Sequence, residues 1–370
     1  MKKYVFYFLI SVAWLLSLVG GEENVTPDPG ASTEKTTLPG QPADLETSQP
    51  DIHQNDITPE LQATIDKGLV FLAQHQSKSG AWGSHYNVAV TSLAGLAFLA
   101  GGNLPGEGKY GDTVRNALNY IMRCATKAGY ICEPGIASSR MHGHGFATWF
   151  LAEIYGMSHH SAVVDAEEIK KVLRNAIKVI EESQSSEGGW YYEPNRSGDE
   201  GSVTVCIVQA LRAARNAGIS VYKKVIDRGV DYLKRSANPD GSFKYSVSGG
   251  GGGSFALTAG GVSSLCLYGM YDLAETKKGL EFMMKFKPGS SQNWQGGYPF
   301  YSNFYATLAT FLAGDEYWPQ WFPPLRQYLI KNQAPNGSWT SSEPDQPDYG
   351  TAFACLILQI PYRYLPLFQK

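Results

Sequence analysis

Residues 67–82 read KGLVFLAQHQSKSGAW, and the reading of this stretch decides the fold. Leu69, Phe71, Leu72 and Ala73 give a helix an apolar face, and Gln74 and Gln76 stand at its end. Gly80 stops the helix, and Trp82 is the first large apolar residue beyond the turn. The pattern returns as RNAIKVIEESQSSEGGW (174–190), RGVDYLKRSANPDGSF (228–243) and LRQYLIKNQAPNGSW (325–339). Looser copies are RNALNYIMRCATKAGY (115–130) and KGLEFMMKFKPGSSQNW (278–294). Six copies whose closing aromatics lie 45 to 60 residues apart define a repeat architecture.

After each copy comes a second helix rich in Ala, Gly, Thr, Ser and Leu with few charges, predicted at 88–100, 145–156, 202–216, 255–270, 303–313 and 351–360. These helices have no polar face and belong inside, whereas the first helices keep Lys, Arg and Glu on one face. Six such pairs joined head to tail predict an all-α (α/α)6 barrel, an α/α-toroid of twelve helices.

The spacing of Lys67, Gly68, Phe71, Leu72, Gln74, Gly80 and Trp82 resembles the QW-type repeat of squalene and oxidosqualene cyclases. It is also similar to the repeat of protein prenyltransferase β-subunits. The likeness covers about residues 60–365 and sits nearest to secreted bacterial prenyltransferase and squalene oxidase repeat proteins, a type with no assigned activity. It implies a toroid whose second helices line the centre.

The activities known on that fold leave no motif here. Terpene cyclases of this kind protonate an alkene through Asp-x-Asp-Asp, and the nearest run, Asp345 to Asp348, has the wrong spacing. Prenyltransferases hold zinc through Asp-x-Cys, but the residues two before the five cysteines are Met122, Tyr130, Thr204, Ser264 and Phe353. A Gly-Cys-Gly-Glu-Gln thioester is absent as well. These three activities are disfavoured, and no cofactor or metal is expected.

At the N-terminus, Lys2 and Lys3 precede an apolar run to Val19 and the small pair Gly20-Gly21, so residues 1–21 read as a secretory signal. The run is short for a membrane span, so no stable span is expected in the mature chain; an uncleaved anchor is the alternative. Residues 22–57 are rich in Pro, Thr, Ser, Gln and Asp and read as a flexible tether. Thr58-Pro59-Glu60 reads as a helix cap followed by proline, so the toroid is placed at 58–370. The protein is expected to be exported, to the periplasm or beyond. A net charge of −3 with no Lys/Arg run argues against nucleic acid. Cys206, Cys266 and Cys355 read as buried small hydrophobes, while Cys124 and Cys132 flank one turn and could pair.

Because all inner helices run the same way, their N-termini gather at one rim. The residues expected there are His85, Tyr86 and Asn87 in repeat 1, Arg140, His142 and His144 in repeat 2, Asp199 and Glu200 in repeat 3, Tyr298, Tyr301 and Asn303 in repeat 5, and Asp348 and Tyr349 in repeat 6. Asp and Asn at helix starts also fit plain capping. His142-Gly143-His144 fits capping poorly, and as a metal site it lacks a third ligand. Catalytic candidates are His142, His144, Tyr301, Asp348 and Tyr349; ligand-binding candidates add Arg140, His85, Asp199, Glu200, Tyr298 and Asn303. Glu133, Glu193 and Glu343 follow the closing aromatics in three loops, and the glycine run between Ser248 and Ser254 reads as a pliable lid.

The leading functional expectation is a cavity that holds an apolar or amphipathic ligand. A polysaccharide lyase or glycan-binding protein is the first alternative, with Asn303, His142 or Arg140 neutralising a uronate and Tyr301, Tyr349 or His144 as base. A non-catalytic interaction scaffold is the second.

Overall fold

The computed structural model describes residues 56–133, 140–158, 163–294, 297–314, 316–343 and 345–369. The signal at 1–21 and the tether up to residue 55 lie outside the described residues. The helix pairs in chain order are α1 (Pro59–His75) with α2 (Asn87–Ala100), α3 (Gly111–Cys124) with α4 (Arg140–Ser158), and α5 (Ala166–Ser183) with α6 (Gly201–Asn216). Then follow α7 (Lys223–Ser236), the hairpin β1 (Phe243–Ser246) and β2 (Gly250–Ser254), and α8 (Phe255–Leu267). The chain ends with α9 (Ala274–Met284), the short α10 (Ser291–Trp294), α11 (Pro299–Ala313), α12 (Trp318–Lys331) and α13 (Asp348–Gln359).

Composition sorts these helices into two layers. On α5, Ile169, Leu173, Ala176, Ile177 and Ile180 make one buried stripe, whereas α2 is buried on nearly every side. Each inner helix packs on the next, α2 on α4, α4 on α6, α6 on α8, α8 on α11 and α11 on α13. α13 packs back on α2, and the ring closes. The expected (α/α)6 toroid is therefore the observed architecture.

One junction, repeated around the ring, sets the geometry. Gly80, Gly129, Gly188, Gly241 and Gly337 all have φ between 90° and 94°. A Cβ at any of them would lie 2.2–2.4 Å from a backbone carbonyl of the next outer helix, at Asn116, Asn175, Arg228, Lys278 and Lys67 respectively. Only glycine permits both that φ and that approach. The last contact, Gly337 against Lys67 on α1, joins the two ends of the chain.

The aromatic that follows locks the turn. Trp82, Trp190 and Trp339 donate their indole N–H to Leu72 O, Ile180 O and Leu329 O at 2.7, 2.8 and 2.8 Å. Their backbone N–H groups donate to Thr91, Thr204 and Thr351 on the inner helices, each at 3.0 Å. The glutamine that bridges to the neighbouring outer helix is Gln76, not Gln74: its amide donates to Gly80 O and Thr113 O, as Gln184 and Gln333 do at their own turns. In repeat 2 the locking position is taken by Ile131, one residue beyond the expected Tyr130, and is fully buried. Repeat 5 departs from the scheme, with Trp294 packed against Tyr328 and Phe300 at ring distances of 4.7 and 5.1 Å.

Thr58 caps α1 by accepting from Leu61 N at 3.1 Å, as its sequence predicts. The residue two before that cap is also engaged. Asp56, at the end of the expected tether, is buried and accepts from the Trp318 indole at 2.6 Å.

The far end of the barrel is filled. After α13 the chain turns through Pro366–Phe368, and Phe368 packs its ring against Trp149 and Phe304. Beside it, Glu153 is 2% exposed, and its Oε1 accepts from the Trp149 indole and from Leu367 N at 2.8 and 3.3 Å. Burial outweighs those bonds and raises its pKa to about 7.

Two outcomes are expected. Gly337→Ala should lower stability by on the order of 3 kcal/mol, because it forces both the backbone and the Lys67 contact, and thermal denaturation would read it. For Glu153 the native state holds its proton longer than the unfolded chain, so stability falls as pH rises from about 4.5 to about 7. Glu153→Gln should therefore raise the melting temperature at pH 8 and do little at pH 4.5.

Candidate functional site

The near end of the barrel is open. A cavity of about 690 Å³ sits where the inner helices begin, and every inner helix contributes to its wall. Tyr86, Ala89 and Val90 come from the start of α2, His142 and Phe146 from α4, and Glu200 and Ser202 from α6. Ser254, Phe255, Ala256 and Leu257 come from α8, Tyr298, Tyr301 and Ser302 from α11, and Tyr349 from α13. Loops and outer helices add Tyr192, Tyr245, Asn293, Glu343 and Asp345, with Phe282 and Phe286. Below, Phe353 meets Tyr301, Tyr349 and Phe146 at ring distances of 6.5, 5.0 and 6.2 Å, and Tyr305 bonds Gln209 at 2.7 Å. The cavity is thus a funnel with an aromatic floor, and beneath it the buried Phe304 and Phe368 pack with ring centres 6.3 Å apart.

Of the residues expected at the rim, Tyr86, His142, Glu200, Tyr298, Tyr301 and Tyr349 line this funnel. His142 Nε2 lies 3.0 Å from Ser202 Oγ, which donates to Glu200 Oε2 at 2.7 Å; Glu200 also accepts from Val203 N at 2.8 Å and so caps α6. Burial lowers the His142 pKa to about 4 and raises the Glu200 carboxyl. With its proton committed to Glu200, Ser202 accepts from a neutral His142, so the three form a relay of donors rather than an activated nucleophile.

The other candidates are held elsewhere. α4 begins at Arg140 and not at residue 145, so both histidines are helical. Residues two apart on a helix point about 200° apart, and the pair diverges. His144 is 0% exposed and faces the outer layer, its Nδ1 accepting from Ile131 N at 3.1 Å and its Nε2 lying 3.2 Å from Ala176 O. It takes the place that Thr91, Thr204 and Thr351 take in other repeats. Arg140 pairs with Glu193, Nε to Oε1 at 3.1 Å. Asp199 accepts from Ser246 Oγ and Val247 N at 3.0 and 2.7 Å, fastening the hairpin. Asp348 bonds Gly83 N and His75, tying repeat 6 to repeat 1. His85 is exposed and bonds Asp345, and the amide of Asn303 donates to Pro299 O.

Sequence reading missed three polar groups. Asp345 receives the N–H groups of Ser84, His85 and Tyr86 at 2.7, 2.8 and 2.6 Å. Burial would raise its carboxyl, but these donors hold it below the usual range. Glu343 was noted as a loop carboxyl but not placed; it is 9% exposed, its Oε1 has no partner, and burial raises its pKa to about 7. Asn293 is 1% exposed, with neither side-chain polar atom bonded. The run Asp345-Gln346-Pro347-Asp348 carried a signal for the first, and nothing local marks Asn293.

The glycine run between Ser248 and Ser254 is strand β2 and its turn, paired with β1 in the register Phe243↔Ser254, Lys244↔Gly253 and Ser246↔Gly250. It is an ordered rim rather than a slack lid. Gly253 lies close against Ser242, where a Cβ would sit 2.2 Å from Oγ. All five cysteines are free thiols, with Cys132 N donating to Cys124 O at 3.2 Å. Among the described residues no group of three His, Cys, Asp or Glu could hold a metal ion, and no helix is long and apolar enough to cross a membrane.

No family profile matches the sequence, and no curated protein matches it significantly. Solved structures do resemble the fold. Type II terpene cyclase MstE from Scytonema superposes with a TM-score of 0.56 at 16% identity, over 83% of this chain and 100% of that one. A D-mannose isomerase gives 0.59 at 14% identity, over 82% and 98%. An alpha-amylase from Clostridium perfringens gives 0.52 at 10% identity, over 81% and 97%. These likenesses agree with the α/α-toroid architecture, and at such identities they carry the fold alone.

Histidine NMR provides a check on the site. His142 and His144 should stay neutral down to about pH 4; a midpoint near 6.5 for His142 would mean an open, hydrated ring rather than the packed relay.

Proposed function

We propose that this chain is an exported α/α-toroid, of the squalene-cyclase and prenyltransferase repeat type, that binds an apolar or amphipathic small molecule in the funnel at the N-terminal ends of its inner helices. In this reading, residues 1–21 direct export, and the tether that follows ends where Asp56 docks on α12. One observation carries the proposal: an aromatic-walled cavity of about 690 Å³ is lined by Asn293 and Glu343, whose buried side-chain atoms Oδ1, Nδ2 and Oε1 find no partner among the described residues. That volume suits a ligand of drug or terpenoid size. Buried polar groups without partners are costly, on the order of 1–3 kcal/mol each, and a ligand that bonds them recovers the cost. The neighbouring fold of MstE has been captured with geranylgeranyl dihydroxybenzoate, a lipophilic molecule with a polar head.

The uronate-lyase alternative finds less support. Its neutralisers are engaged, Arg140 by Glu193 and Asn303 by the α11 backbone, while the cavity presents carboxyls. Burial pushes the Tyr301 and Tyr349 phenols well above their usual range, which unsuits them as bases.

Ala89→Trp should fill the funnel from the α2 wall. Binding of a neutral apolar dye such as Nile red, read by fluorescence, is expected to weaken at least about tenfold with the melting temperature little changed. Native mass spectrometry of the wild type should show a retained small molecule. Equal dye binding by the Ala89→Trp protein would overturn the proposal.

A further inference from the structure

The funnel has an electrostatic character that its apolar wall does not require. Three acidic residues line it, Glu200, Glu343 and Asp345, the last with its carboxyl held by the N–H groups of residues 84–86, and no lysine or arginine does among the described residues. The internal segments outside the described residues contain no lysine or arginine in their sequence either. Arg140, the cation expected at the rim, is paired with Glu193, and Lys285 lies over the Phe282 ring at 5.3 Å.

The six inner-helix N-termini work in the opposite sense, each offering roughly half a positive charge. Several of those ends are already capped from within. Glu133 accepts from Val88 N on α2, Glu200 from Val203 N on α6, and the Ser254 hydroxyl from Leu257 N on α8 at 3.2 Å. The Phe300 N–H at the start of α11 favours the ionised form of Glu343, against the burial that raises its carboxyl. Carboxyl groups thus offset the half charges of the helix ends, which leaves the mouth without a net attraction for an anion. An anionic ligand would find no cationic side chain among the lining residues to pair with.

The aromatic wall points the same way. Phe255 packs on Phe286 at 4.9 Å between ring centres, Tyr192 joins its hydroxyl to that of Tyr245 at 2.6 Å, and His142 lies 5.9 Å from Tyr192. Tyr298 stands at the rim with its backbone at φ 60° and its side chain exposed. Ring faces carry partial negative charge and attract cations, the more so where water is excluded. Glu343 Oε1, buried and unpartnered, supplies a fixed acceptor or counter-ion.

We propose that the ligand of this funnel carries a positive charge: an amphipathic amine or quaternary ammonium compound whose apolar part fills the cavity and whose head sits between the aromatic faces and the carboxylates of Glu343 and Glu200. This rests on the funnel being a ligand site, as proposed above. The cation takes the place of the Lys or Arg that the cavity lacks, and its apolar body covers Phe146, Phe255 and the Tyr301 floor.

The experiment uses the full chain and three probes of equal chain length below their micellar concentrations: decyltrimethylammonium, 1-decanol and decyl sulfate. Isothermal titration is expected to show the ammonium binding about tenfold or more tighter than the alcohol, with the sulfate weakest. Glu343→Gln keeps the size of the side chain and an acceptor oxygen and should weaken the ammonium about five- to tenfold while leaving decanol within about twofold; Glu200→Gln is the second such variant, and the wild-type probe order stands independently of either. Ala89→Trp should weaken every probe that binds. Decanol binding as tightly as the ammonium, in a manner sensitive to Ala89→Trp, would overturn the charge assignment and leave the funnel as a ligand site. Ammonium binding unaffected by Ala89→Trp would mean surface adsorption and would overturn the assignment as well. If no probe binds the wild type, the ligand site and its charge preference fall together.

Discussion

The whole ring depends on one short contact, made by a glycine with φ near +92° against the backbone carbonyl of the next outer helix. Helix backbones normally stay apart by the width of their side chains. Here five turns abolish that width at one point each, which fixes how far every outer helix leans on its successor. The aromatic two residues on then fits the small residue beside that carbonyl. Trp339 lies over Gly68, Trp190 over Gly229 and Phe243 against Gly279. Since Gly337 and Trp339 make these contacts with α1, the same local device that joins neighbours also joins the chain's ends.

A closed ring of parallel inner helices has an unavoidable consequence. All the helix starts meet at one mouth, with unsatisfied N–H groups and aligned dipoles. The protein answers with carboxylates drawn from other repeats: Glu133 reaches back to α2, and Asp345 reaches forward to the N–H groups of residues 84–86. Such groups are buried because the mouth is lined with rings, and burial drives Glu343 to about 7. The opposite end avoids the problem by being plugged, with Leu367 and Phe368 packed into the barrel beside Glu153. One open end and one closed end turn a toroid into a cup, and a cup with unsatisfied polar atoms is suited to holding a molecule.

The histidine pair shows how secondary structure decides chemistry. In a loop, His142 and His144 could converge on one ion, and the flanking glycines invite that reading. In a helix their directions are separated by more than half a turn. One enters the funnel and the other replaces a threonine as the acceptor for the turn behind it. The extended run of glycine before α8 misleads in the same manner. Its slackness in isolation is removed by pairing with β1 and by the clamp of Asp199 on residues 246–248.

Local sequence determined the helix pairs, their polar and apolar layers and the closing turns, because helical periodicity, glycine at positive φ and a following aromatic are each properties of a few adjacent residues. Even so, Gln74 was read for Gln76 and Tyr130 for Ile131, since a one- or two-residue shift changes no composition. The site was legible only in part: the rim was foreseen from the parallel inner helices, and His142, Glu200, Tyr298, Tyr301 and Tyr349 do face it. What only the tertiary structure decided is which polar groups stay free. Asp199, Asp348 and Arg140 are consumed by partners 47, 265 and 53 residues away, whereas the Asn293 side chain and Glu343 Oε1 are left buried without a bonded atom among the described residues. Such satisfaction depends on distances across the ring, which no local pattern encodes.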